Sequence, residues 1–195
     1  MSTTATVSWQ DALSRLRDGN QRFVEDRLDG VQDITHRRGE LTGSQHPYAI
    51  ILSCADSRVV PELAFDAGLG ELFVIRVAGN IANSSSIASI EYAVAHLGVK
   101  LILVLGHESC GAVTAALSDS DNGYNLNHLL MHIQPARVAS DDKSVDAVVR
   151  KNAEMTAEEL RNRSSIIAGA DDLVILPAFY HLDSGRVEIL QELQA

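Results

Sequence analysis

Two short stretches of this chain carry side chains suited to chemistry. In Gly106-His107-Glu108-Ser109-Cys110 an imidazole and a thiol stand three residues apart, and in Cys54-Ala55-Asp56-Ser57-Arg58 the other cysteine is followed by a carboxylate and a guanidinium. If a helix begins at His107, that spacing puts imidazole and thiol on one face of its first turn, where free backbone N–H groups and the helix dipole favour a thiolate. Two soft or borderline ligands at such a place suggest a metal, although two alone do not make a site. Arg58 offers a planar fork suited to holding the Asp56 carboxylate. Plainer roles are open too: unpaired cysteines are often core residues, a lone histidine is more often structural, and Asp56 with Arg58 could be a simple ion pair.

The elements that must position these residues follow from the hydrophobic pattern. Ser8 to Asp11 reads as the cap of an amphipathic helix, or of two short ones broken near Gly19-Asn20, with Leu13, Leu16 and Phe23 on its apolar face. That helix is free to pack on its own sheet or on a second subunit. Residues 29–45 are polar and read as a loop holding one helical turn. Buried strands are predicted at 48–52, at 72–75 with Val77, at 101–105 and at 173–176. Helices are predicted at 60–69, 86–97 (stopped by Gly98), 110–117, 126–138 and 145–167, and a hairpin around Asp183-Ser-Gly185 adds an edge strand over 187–190.

Strands alternating with helices predict an α/β fold: a central, mostly parallel sheet of order 2-1-3-4 with an added edge strand, flanked by helices. It forms a single domain over 1–195, with 1–30 a helical arm. Ligands of such sheets bind beyond the carboxyl ends of the strands where strand order reverses, here between the first and third strands. Both chemical stretches fall on those two loops.

Composition excludes some partners. With 195 residues and 46% apolar content the chain can bury one good core, and a net charge of −10 argues against nucleic acid, which the lone doublet Arg37-Arg38 does not reverse. Neither a run of eighteen apolar residues nor a cationic leader is present, so a soluble, cytoplasmic protein without membrane partners is expected. In a reducing compartment the two cysteines read as ligands, catalytic thiols or core residues rather than a disulfide.

Cys54-Ala-Asp56-Ser-Arg58 and His107-Glu-Ser-Cys110 resemble the two signature motifs of the beta-class carbonic anhydrases, in that family's order. The stretch Leu16 to Phe23, Phe65 to Gly70, Arg76-Val-Ala-Gly-Asn80 and Ser89 to Ala93 extend the resemblance over most of the chain. It implies one zinc ion per subunit on Cys54, His107 and Cys110, and reversible hydration of CO2 to bicarbonate by attack of zinc-bound hydroxide. Asp56 and Arg58 are implied as the catalytic dyad. Asp56 either takes the fourth metal position or, held by Arg58, orients the attacking water. Two thiolate ligands imply a less acidic water than three imidazoles give, and activity favouring alkaline pH.

The resemblance further implies a homodimer or homotetramer, with Tyr92 lining the pocket. Some family members bind inhibitory bicarbonate at a Trp, Arg and Tyr site; Arg76 and Tyr180 match the last two, but Ile51 stands where the Trp is expected. Ala67 stands where many members have a glutamine in the pocket wall. His128 and His132, four apart on a predicted helix, lack a third ligand and read as a solvated face. Two other readings stay open: a closed structural zinc module on Cys54, Asp56, His107 and Cys110, or a hydrolase of carbonyl sulfide or carbon disulfide.

Overall fold

The computed structural model describes residues 6–29, 34–118 and 120–191; residues 1–5 and 30 of the predicted arm lie outside these. In chain order come α1 (Trp9–Val24), α2 (Ile34–Glu40), β1 (Ala49–Ser53), α3 (Pro61–Ala64), β2 (Leu72–Arg76) and a 3₁₀ turn (Ala78–Asn80). They are followed by α4 (Ser84–Leu97), β3 (Leu101–His107), α5 (Gly111–Leu117), α6 (Tyr124–Leu130) and α7 (Gln134–Ala139). The chain ends with α8 (Val145–Arg163), α9 (Ser165–Ala168), β4 (Val174–Tyr180) and β5 (Val187–Ile189).

The sheet order is β2-β1-β3-β4-β5, parallel throughout except for β5, which pairs antiparallel with β4. This is the predicted topology with its added edge strand. Alternate residues of each central strand serve opposite layers, as the period of two requires. Ile51, Leu103 and Leu105 pack toward Leu13, Leu16 and Phe65, whereas Ile50, Leu52, Ile102 and Val104 pack toward Ile90, Leu160 and Ile167. A third apolar cluster lies beyond the strand ends and contains Cys54, Cys110, Ile133, Val148, Val149 and Phe179.

The arm is one helix that packs on its own sheet. It starts at the predicted cap, with Ser8 Oγ accepting from the Asp11 N–H. It does not break at Gly19-Asn20, because those residues make a clamp. A Cβ on Gly19 would stand 1.9 Å from the Phe65 carbonyl oxygen, so only glycine allows this approach to the end of α3. Asn20 donates to the carbonyls of Ala64 (2.9 Å) and Gly185 (2.8 Å) and accepts from the Val187 N–H (2.8 Å).

Four predicted elements differ. The helix expected over 145–167 breaks at Ser164, whose hydroxyl caps the short α9 by accepting from the Ile167 N–H. The helix expected over 60–69 ends at Ala64, since Asp66 turns to φ 46 and its buried carboxylate takes Arg22 Nε at 2.5 Å and the Asp29 N–H at 3.1 Å. The helix expected over 126–138 is two, because Pro135 opens α7 and cannot donate back into a continuing helix. The loop over 29–45 holds the two-turn α2 rather than one turn.

Candidate metal centre

Cys54 follows the last residue of β1 and His107 is the last residue of β3, so the parallel pairing of these strands brings the two loops together where strand order reverses. The donor atoms of Cys54, His107 and Cys110 all lie within 4.8 Å of one another, and all three residues are buried. The two sulfurs are 4.0 Å apart. The His107 Nδ1–H donates to the Glu108 carbonyl at 2.9 Å, which leaves the lone pair on Nε2. That atom is buried and has no hydrogen-bond partner.

The local build differs from the expected helical face. Cys110 is the N-cap of α5 and helix begins at Gly111. His107 and Cys110 instead meet across a turn in which Ser109 adopts φ 54. The anticipated N–H groups do serve the thiol: those of Ala112 and Val113 favour the Cys110 thiolate. They are outweighed by its neighbour, since the hydrogen bond shared with Cys54, together with burial, pushes the Cys110 thiol up. The same hydrogen bond lowers the Cys54 thiol, against its own burial. One thiol of the pair thus ionises readily and the second resists. Burial alone would depress the His107 imidazole, but the Cys54 sulfur prevails and the net direction is upward.

This donor set fits zinc. A dication relieves the conflict between adjacent thiolates and gives the orphaned Nε2 its partner.

Asp56 falls outside the trio. Its carboxylate is clasped by Arg58, with Nε to Oδ1 at 2.9 Å and Nη2 to Oδ2 at 2.8 Å, and the Arg58 backbone N–H adds a third bond at 2.9 Å. These bonds, the Arg58 guanidinium first, hold the carboxyl well below the usual range. Oδ2 nevertheless lies 3.9 Å from His107 Nε2, so the carboxylate borders the candidate ligand group. Arg58 Nη2 also reaches the Ser109 carbonyl at 3.3 Å, tying the two loops together.

Two supports escaped the sequence reading. Gly79, at φ 72, points its N–H at the Cys54 sulfur (3.4 Å), and a Cβ there would meet Ile133 at 2.7 Å. Arg76 donates to the carbonyls of Cys54 (3.0 Å) and Asp56 (2.7 Å) from the neighbouring strand. The Arg76-Val-Ala-Gly-Asn80 stretch that carried part of the resemblance therefore has a physical role at this site. Its guanidinium, matched to an anion site in the sequence, is engaged by backbone; Tyr180 and Ile51 are buried.

Tyr92 is placed elsewhere. It lies on α4, 47% exposed, with its ring against Phe73 and His96 rather than the trio. His128 and His132 meet edge to face at 6.0 Å on α6 and the turn after it, and neither joins the metal-ligating group.

The carbonic anhydrase family model matches residues 49–187. The chain belongs to the beta-class carbonic anhydrase family. A carbonic anhydrase of Mycolicibacterium smegmatis is 38% identical over 192 residues, covering 93% of each chain. Carbonic anhydrase 2 of Mycobacterium tuberculosis is 39% identical, covering 95% of this chain and 92% of its own. Among solved structures, a tetrameric beta-carbonic anhydrase of Sordaria macrospora superposes with a TM-score of 0.75 at 27% identity, over 91% of this chain and 96% of its own. A Coccomyxa beta-carbonic anhydrase bound to acetazolamide superposes at 0.73 with 28% identity, over 91% and 86% of the two chains.

Proposed function

We propose that this beta-carbonic anhydrase hydrates CO2 reversibly to bicarbonate and a proton, with one zinc ion per subunit held by Cys54, His107 and Cys110. The observation that carries the ligand assignment is the buried, unpartnered Nε2 of His107 beside two thiols 4.0 Å apart. When bound, zinc supplies the Lewis acidity that makes water a nucleophile near neutral pH. By its fork Arg58 would hold the Asp56 carboxylate clear of a bound zinc and offer it as an acceptor for the attacking water's proton, orienting the oxygen toward the carbon. Ile133, Val113 and Phe179, packed around the cysteines, give the apolar surroundings that a molecule without a dipole requires. Ala67 is buried and offers no side-chain donor, so no amide assists from that position. The grip of Arg58 on Asp56 weighs against the closed four-ligand module.

The family resemblance and the tetrameric Sordaria relative support a homodimer or homotetramer. Exposed Tyr92 would then line a neighbouring copy's pocket. No helix among the described residues is long and apolar enough to cross a membrane. A cytoplasmic setting suits the two free thiols.

Stopped-flow CO2 hydration, read beside measured zinc content, tests the reading with Cys110→Ala and Asp56→Ala variants. Cys110→Ala loses zinc and activity together; full activity in the zinc-free variant overturns the proposal. Turnover of carbonyl sulfide without turnover of CO2 would assign the site to the other substrate class.

A further inference from the structure

The turn joining His107 to Cys110 is held in a conformation its residue does not favour. Ser109 sits at φ 54, a left-handed conformation that a non-glycine residue keeps only where its surroundings hold it there. Cys110 follows as the N-cap of α5, whose first N–H groups serve its sulfur and do not hold Ser109. Two groups from elsewhere do. Arg58 Nη2 donates to the Ser109 carbonyl at 3.3 Å, and Asp146 Oδ1 accepts from the Ser109 N–H at 2.9 Å.

We propose that Asp146 is a positioning residue for the metal centre: by holding the Ser109 N–H it fixes the left-handed turn that places Cys110 relative to His107. The inference rests on the reading that Cys54, His107 and Cys110 hold zinc. Asp146 is suited to the task because its helix is anchored to the same cluster. Val148 and Val149, on the next turn of α8, pack in the apolar group that contains both cysteines. A carboxylate fixed to that platform holds the turn in register with the ligands. Metal-ligand supports of this kind typically change metal affinity by about 10- to 100-fold when removed. The plainer role for Asp146 is an acidic residue in the first turn of α8, favourable to the helix dipole. That role depends on charge, whereas the positioning role depends on an acceptor oxygen.

The test compares zinc-loaded wild type with Asp146→Ala, Asp146→Asn and Ser144→Ala, following zinc release to a chromogenic chelator and the visible spectrum of the cobalt-substituted proteins. Ser144 caps α8 through the Ala147 N–H, so its loss weakens the helix without touching Ser109. Asp146→Ala is expected to release zinc about tenfold faster and to shift the cobalt bands, while Asp146→Asn stays within about twofold of wild type. Ser144→Ala is expected to melt earlier with unchanged release. If Asp146→Asn behaves as Asp146→Ala does, or Ser144→Ala speeds release as much, the helix-dipole role explains Asp146 and the proposal is overturned. A wild-type chain that takes up no zinc overturns the metal reading, and this inference with it.

Discussion

Arg58 is the residue on which the proposed chemistry turns, since it holds Asp56. Its fork occupies both carboxylate oxygens, and the remaining reach of Nη2 goes to the loop that carries Cys110. Removing the fork frees a carboxylate that already stands 3.9 Å from His107 Nε2. Arg58→Ala is therefore expected to keep its zinc yet lose about 100-fold in CO2 hydration, the scale of a misplaced acceptor. Arg58→Lys is expected to recover little, because an ammonium is a point donor and cannot hold both oxygens in plane. Stopped-flow rates with zinc content check both, and an Arg58→Ala protein that retains wild-type rates would show that Asp56 needs no holder. The same residue marks a limit of the sequence: Asp56 and Arg58 were legible as a pair, but the Ser109 carbonyl as a third partner was not, since it lies 51 residues away.

At the scale of elements, the site depends on how α1 is pinned to the sheet. Asn20 joins the end of α3 to the β4–β5 hairpin through three hydrogen bonds from a buried side chain. Asn20→Ala leaves two carbonyls and one N–H without partners, at roughly 1 to 3 kcal/mol for each group left buried. For a chain of this size a total near 3 kcal/mol lowers Tm by about 10 °C, which a thermal melt would register. Such a variant with an unchanged Tm would mean that the three groups find water. The strands and their order were legible because apolar runs of four or five residues alternate with helical periodicity, and the nearness of Cys54, His107 and Cys110 because strand order brings two loops together; their role as ligands came from the resemblance. Whether His107 and Cys110 meet on a helix face or across a turn was left open by their spacing. Spacing of three is compatible with a helix and with a tight turn, and what separates them is the φ of Ser109, set by Asp146 and Arg58 from other elements. Likewise, the pattern of 60–69 shows apolar content but not that Arg22 and Asp29 draw Asp66 out of the helix.

For the whole molecule, the proposed metal centre sits on a scaffold whose far edge is also held by charge. Arg150 of α8 lies over the Phe179 ring, 4.1 Å from its centroid, and reaches across to both carboxylate oxygens of Glu188 on β5 at 3.0 and 2.9 Å. Phe179 shares a cluster with Cys54 and Cys110, so this tie backs the site as well as the sheet edge. Zinc should reinforce the same unit: metal that binds only the folded chain adds about 4 kcal/mol at a thousandfold excess over Kd, so chelation is expected to lower Tm, and no change would count against a zinc-coupled fold. The acid limb can be assigned separately. The Arg150 hydrogen bonds, opposed by desolvation and aided by His181, hold the Glu188 carboxyl down at about 2, from an ordinary value of 4.5. A depressed carboxyl contributes stability above its unfolded pKa and loses it as pH falls through the folded one, so the contribution is whole above about pH 5 and fades toward pH 2. With the Glu188 side chain 35% exposed, solvent screening reduces it to about 1 kcal/mol. Urea unfolding of wild type and Glu188→Gln from pH 7 to 3 should therefore show a steady gap down to about pH 5 that narrows below it. Metal loss in acid is common to both proteins and cancels in the difference, so a gap that stays constant to pH 3 would detach Glu188 from the acid limb.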